Sequence, residues 1–290
     1  MNEEKYNSIY CGNQDLFTDD LSFMLREDMD TEEDFSNLLS LYYFQYYVQS
    51  SLILDRFCNG ELDNKTELYF ALDWEKVSKN RKCCTDGWDK VKANIERCFA
   101  HKTTLGILNN HTGLEKINYV DFNKMAELNA EDDVALAEEI EKAERTYTSY
   151  LGDYDGYSRI PKTEGKNKTD IAIKHLFECV EQQFINTKRN RARDSFNDKF
   201  VIFCKNRWIK DRKKSGLVLN LTERDIIFLT KLAIGENEKI RLNDMFKEYE
   251  KRGVYLDQTS KEILQDYFTK LNIIDKKSDS GDAQYVRRIL

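Results

Sequence analysis

A mainly α-helical chain is the fold class this sequence predicts: a helical domain followed by a C-terminal winged-helix domain with a small β-hairpin wing. Three observations carry the prediction. The 290 residues include one proline, Pro161, and only 12 glycines, too few for a many-turned β protein. Apolar residues recur at helical spacing in most long stretches. And residues 216–290 read as three short helices followed by two strands around an Asp-Ser-Gly turn.

Residues 1–150 are expected to form the helical domain, opening on an acidic segment. Residues 1–34 carry eleven acidic side chains against Lys5 and Arg26. The uncharged run from Phe35 to Leu54 follows, and within "LLSLYYFQYYVQSSLILDRF" tyrosine, phenylalanine and leucine crowd together. Asp34 or Ser36 is placed to cap this helix, with the acids at its positive dipole end. Its length suits a membrane span, but Gln45, Gln49, several serines and four tyrosines would need partners in lipid, and no basic flank orients it. A buried core helix is expected, with Tyr42, Tyr43, Tyr46 and Tyr47 as the surface for a protein partner.

Trp74 and Trp88 are expected to anchor the short elements that follow, with a helix over Asp86–Ala100 burying Trp88, Val91, Ile95 and Phe99. One long exposed helix is expected from Tyr119 to Tyr150. Residues 151–170 hold Gly152, Gly156, Gly165 and Pro161 and read as a linker or mobile loop. In 171–215, a helix from Ile171 to about Thr187 precedes a basic segment. In 216–290, Thr222 and Asp225 form a capping box, and Gly253 stops the second helix.

Charge is unevenly spread. The chain carries a formal net charge of -7, yet residues 188–214 hold eleven cations against three aspartates. Interleaved with Phe196, Phe200, Phe203 and Trp208, these cations suit phosphate contact. The DNA-binding candidates are therefore Lys188, Arg189, Arg191, Arg193, Lys205, Arg207, Lys210, Arg212, Lys213 and Lys214. Lys276, Lys277, Arg287 and Arg288 on the hairpin join them. A solvated helix face, or a patch meeting the acidic segment or an acidic partner, is the competing reading. Residues 217–290 balance thirteen cations against thirteen acids, so the winged helix serves DNA or protein contact equally well. Gln258, Thr259, Ser260 and Lys261 open its third helix, within reach of base edges or phosphates.

Catalytic motifs are scarce. No phosphate-binding loop or nucleophile elbow occurs, and three histidines offer little for a triad. Asp198, then Asp211 and Lys213 after an apolar run, form a weak metal-dependent nuclease pattern. Cys83, Cys84, Cys98 and His101 are the one metal-like set, although adjacent cysteines make awkward ligands. The seven cysteines, with no signal peptide visible in "MNEEKYNSIY", read as free thiols in a reducing cytoplasm. No catalytic residue, metal or cofactor is expected.

Three stretches carry a family resemblance. "LLSLYYFQYYVQSSLILDRF", "LYFALDWEKVSKNRKCCTDGWDKV" and "LNIIDKKSDSGDAQYVRRIL" resemble the DptG (DndG) family over residues 38 to 290, as the C-terminal portion of longer members. The resemblance implies a subunit of a bacterial DNA phosphorothioation-dependent restriction system, an anti-phage defence acting on unmodified DNA. It implies DptF- and DptH-like subunits and double-stranded DNA as partners, and no catalytic motif to carry over. The expected function is a non-catalytic DNA-binding and assembly subunit, against a nuclease subunit or a pure protein scaffold.

Overall fold

The computed structural model describes residues 10, 12–26, 32–60, 65–114, 117–276 and 284–289. In chain order the elements are α1 (Gln14–Arg26), α2 (Glu32–Leu54), β1 (Ala71–Leu72), α3 (Lys82–Thr85), α4 (Trp88–Thr112), α5 (Tyr119–Ala126), α6 (Ala130–Tyr150), α7 (Lys168–Asn186), α8 (Asn190–Arg207), β2 (Ile209–Asp211), β3 (Leu217–Leu221), α9 (Glu223–Ile234), β4 (Lys239–Arg241), α10 (Leu242–Lys251), α11 (Gln258–Lys270), β5 (Ile274–Lys276) and β6 (Gln284–Arg287). Helix dominates, with two small three-stranded sheets. The chain divides into two compact units, one of residues 1–11, 49–64 and 93–201, the other of 12–48, 65–92 and 202–290. The division falls inside α2, α4 and α8.

In the first unit α6 packs on α7, and the core gathers Phe57, Tyr119, Phe122, Ile140, Leu176 and Phe177. Three helix starts in this unit have a local cause. Asn118 and Asp121 form a capping box on α5, Asn129 accepts from the amides of Glu131 and Asp132 to start α6, and Asn167 accepts from the Asp170 amide to start α7. Asp133 of α6 accepts from the amides of Lys168 and Thr169, satisfying two orphan donors at the first turn of α7. Buried Asp170 accepts from the Lys166 amide at 2.9 Å and from Lys174 Nζ at 2.8 Å.

The single long helix expected from Tyr119 to Tyr150 is two, because the Asn129 cap starts a new one. Nor is it exposed throughout, since Ala137, Ile140 and Ala143 are buried. Residues 151–170 lie inside this unit and are tied to α7. Gln183 donates to Asp153, and Thr163 donates to the Ile171 carbonyl at 3.0 Å.

In the second unit β3 is central to one sheet, pairing parallel with β1 (Leu72 opposite Leu221) and antiparallel with β2 (Ile209 opposite Leu219). The other sheet is antiparallel in the order β4-β6-β5. The Thr222–Asp225 capping box forms as expected on α9, and Gly253 at φ +79° follows α10. The strands β1, β2, β3 and β4, the last with Ile240 opposite Val286, have no counterpart in the sequence reading. The expected Asp-Ser-Gly turn lies outside the described residues.

Two polar networks hold this unit. The Arg252 guanidinium, 3% exposed as a residue, donates to both Asp20 oxygens (2.8 and 2.5 Å), and the Tyr42 hydroxyl donates to the same carboxylate at 2.6 Å. Arg81 joins Asp257 to Glu75, and Ser260 Oγ donates to Glu75 at 3.0 Å. Helix α2 begins at Glu32, ahead of the expected cap at Asp34 or Ser36, so Glu32, Glu33 and Asp34 occupy its first turn. It buries Leu38, Leu41, Tyr42, Phe44 and Val48, with Phe44 against Trp208 at 5.5 Å. No helix among the described residues is long and apolar enough to cross a membrane.

Candidate functional site

The basic segment spans the α7–α8 connection, α8, β2 and the β2–β3 turn, and many of its cations are already spent. In the first unit Arg189 pairs with Asp153 at 2.7 Å, and Arg193 reaches Glu181 and Asp194. Burial leads the causes that push the Glu181 carboxyl above the usual carboxylate range, with Arg193 and Arg97 opposing. In the second unit Arg207 pairs with buried Asp225 and donates to Asn37 at 2.8 Å. Lys210 pairs with Asp73 at 2.5 Å, and the resulting hydrogen bond holds that carboxyl below its ordinary range.

Arg212 points inward. Its Nη2 donates to the Leu72 carbonyl and to Asn220 Oδ1, both at 2.7 Å. Its Nη1 donates to the carbonyls of Asp73 and Glu75, at 3.2 and 3.1 Å. Of the hairpin set, Arg287 pairs with Asp275 at 3.2 Å and donates to the Asn272 carbonyl. Arg288 has an interaction of its own. The Lys276 side chain and all of Lys277 lie outside the described residues.

Among the described residues, Lys188, Arg191, Lys205, Lys213 and Lys214, together with Lys199, remain solvent-facing without an ion pair or side-chain hydrogen bond. The local charge shrinks accordingly. In the second unit the six cations from Lys205 to Lys214 meet Asp211, Asp225 and Asp73, an excess of three. In the first unit the five from Lys188 to Lys199 meet Asp194, Asp198, Asp153 and Glu181, an excess of one. Cation density read along the chain thus overstates the positive field, because the neutralising acids arrive from elsewhere in sequence.

Lys213 and Lys214 sit at the tip between β2 and β3. Lys213 takes the left-handed conformation at φ 55°, Gly216 follows at φ 82°, and the Asp211 carboxylate accepts from the Lys213 amide at 2.7 Å. Asp211 therefore serves the turn. Asp198 and Asp211 join no group of three metal-capable side chains among the described residues. The nuclease pattern of Asp198, Asp211 and Lys213 gains no supporting geometry.

Helix α11 offers little to a phosphate backbone. Ser260 is buried in the Glu75 network and Lys261 pairs with Glu250 at 2.9 Å, so neither projects freely as the sequence suggested. Exposed Glu262 and Asp266 share the outward face with Gln258 and Thr259. Two carboxylates there oppose entry into a groove lined with phosphates.

Among the described residues the cysteine-histidine set forms no group of three metal-capable side chains. Cys83 and Cys84 belong to the second unit, Cys98 and His101 to the first. Both His101 nitrogens are engaged, Nδ1 with the Tyr119 hydroxyl at 3.1 Å and Nε2 with Asp55 at 3.4 Å. The ring stacks on Phe177 at 4.3 Å. A different trio, Glu144, His175 and Cys179, comes together instead. Sequence reading had only the His175-x-x-x-Cys179 spacing to find it by.

The proposed partner tyrosines split. Tyr42 is buried with its hydroxyl on Asp20, and Tyr47 is half-buried beside Tyr43. Tyr43 and Tyr46 are 49% and 43% exposed, in line with Phe35 and Leu39 at 46% and 44%. These four recur three or four residues apart, so they form one outward stripe on α2. Phe203 meets Tyr43 edge-on at 5.2 Å, next in sequence to Ile202, which is 56% exposed. No family model matches the chain, and no curated protein matches it.

Proposed function

We propose that the chain is a non-catalytic assembly subunit that also touches duplex DNA, in a phosphorothioation-dependent restriction complex acting on unmodified DNA. The observation that carries the assembly role is the Phe35, Leu39, Tyr43 and Tyr46 stripe. Full burial of one large apolar side chain is worth ~1.5–3 kcal/mol. A contiguous row of four left half-exposed is a surface whose stabilisation a partner supplies. Aromatic anchors of this kind dominate protein interfaces.

DNA contact is the secondary role, resting on Lys188, Arg191, Lys199, Lys205, Lys213 and Lys214. Contact of that type is sequence-independent and salt-sensitive. The order α9, β4, α10, α11, β5, β6 supports a winged-helix reading of the C-terminal part. The acids on α11 favour its use for protein contact. The resemblance supplies the setting, with DptF- and DptH-like subunits as the expected partners.

Co-expression of the chain with its DptF- and DptH-like neighbours tests the assembly role. Wild type is expected to co-purify with at least one of them, and a Leu39→Ser, Tyr43→Ser, Tyr46→Ser triple variant is expected not to, while keeping its helical circular dichroism. Undiminished capture by the triple variant would overturn the assignment of this face. Duplex cleavage by the isolated chain on adding Mg²⁺ would favour the nuclease reading.

A further inference from the structure

We propose that Glu144 of α6 with His175 and Cys179 of α7 forms a three-ligand site for a thiophilic divalent cation of the zinc class. His175 Nδ1 lies 2.8 Å from Glu144 Oε2 and 3.9 Å from Cys179 Sγ, and one donor atom from each residue lies within 4.8 Å of the others. His175 and Cys179 are four apart, one turn along the same face, and α6 brings the carboxylate across from its own packing on α7.

Bond lengths of about 2.3 Å to sulfur and about 2.0–2.2 Å to nitrogen and oxygen place tetrahedral donors roughly 3.4–3.6 Å apart. Reaching that geometry opens the His–Glu contact by about half an ångström, closes the His–Cys gap by a few tenths, and brings the Glu144–Cys179 pair, which lies within 4.8 Å, into the same range.

The arrangement argues against the other chemistry these residue types suggest. A nucleophilic relay needs the thiol on one imidazole nitrogen and the carboxylate on the other. Here both approach Nδ1, so the donors converge on a point instead of lining up. Binding of a soft dication by these donors releases protons. The thiol proton leaves to solvent, the imidazole proton moves to Nε2, and sulfur binds as thiolate. Cys179 forms the floor, while Glu144 and His175 keep 19% and 31% of their side-chain surface exposed, leaving an approach from solvent.

Cobalt(II) titration of the whole chain under reducing conditions tests the assignment. One equivalent is expected to give a thiolate-to-cobalt charge-transfer band, with proton release and a zinc-dependent rise in melting temperature. Cys179→Ser is expected to abolish the band. His175→Ala and Glu144→Gln are expected to weaken zinc binding at least about tenfold, a loss typical even of outer-shell substitutions. Cys98→Ser, a buried thiol in the same unit, is expected to change neither. Circular dichroism of the metal-free variants separates loss of binding from loss of fold, and Glu144→Gln, which keeps a hydrogen-bonding side chain, guards against the latter. Absence of the band in folded wild type, or its persistence in Cys179→Ser, would overturn the proposal.

Discussion

Salt dependence of duplex binding distinguishes a surface with fourteen working cations from the one the ion pairs leave. Each phosphate neutralised contributes about -0.9 to the slope of log K against log salt. If only Lys205, Lys213 and Lys214 act, the slope is about -2.7, and affinity falls ~40-fold between 50 and 200 mM salt. If Lys188, Arg191 and Lys199 join them, the slope reaches about -5.4 and the loss ~2000-fold. All fourteen nominated cations would give about -13.

The informative variant is Lys213→Ala with Lys214→Ala, two exposed side chains without partners among the described residues. It is expected to flatten the slope by about 1.8, which removes ~12-fold of the salt sensitivity over the same range. Arg189→Ala, which removes a cation already paired with Asp153, is expected to change the slope by less than one. Fluorescence anisotropy with a labelled duplex, titrated at four or five salt concentrations, supplies the measurement. A slope steeper than about -10 would mean that the internal pairs open on DNA and that the paired cations bind phosphate as well. Binding that persists with an unchanged slope in the double variant would remove the β2–β3 tip from the interface.

Other outcomes follow from the interior. Arg252→Met strands the buried Asp20 carboxylate and is expected to cost about 3–5 kcal/mol in urea unfolding, with much of it regained when Asp20→Leu is added. Gly253→Ala forces a left-handed residue and drives its Cβ into the Gln45 amide, so it is expected to cost at least ~1–3 kcal/mol. Burial lowers the His101 pKa below its ordinary value of 6.5 against the opposing pull of Asp55, so the unfolded chain takes up this proton first. Stability is therefore expected to decline as pH falls below about 6.5, and His101→Phe should flatten that decline in urea midpoints measured at pH 7.5 and 5.5.

Local signals were the legible ones. Thr222 and Asp225 announce the start of α9 because a capping box needs only four consecutive residues. The apolar face of α7 is visible because Ile173, Leu176, Phe177, Val180 and Phe184 repeat at helical spacing within one element. The break at Asn129 was missed because acids and alanines on both sides propagate a helix equally well, and only the cap marks a new start. None of β1 to β4 has a counterpart in the sequence reading, because each is short and its pairing is not signalled locally. β1 is two residues long and pairs with β3, far away in sequence, and β4 is three residues joined to β6. The candidate site suffered most. Counting charge along 188–214 cannot register that Asp73, Asp153, Glu181 and Asp225 come to meet it.

The Arg212 side chain, threaded beneath the β2–β3 tip onto carbonyls of the β1 segment, has a consequence for how that tip meets a polyanion. With Arg212 N–H donating to the Gly216 carbonyl at 2.8 Å as well, the backbone carrying Lys213 and Lys214 is fastened before any ligand arrives. An incoming strand then freezes only lysine rotamers, up to about 2 kcal/mol each, and is spared the ~1–2 kcal/mol per residue that ordering a slack loop demands. Two lysines on a fixed mount hold a polyanion more tightly than the same pair on a loose tail.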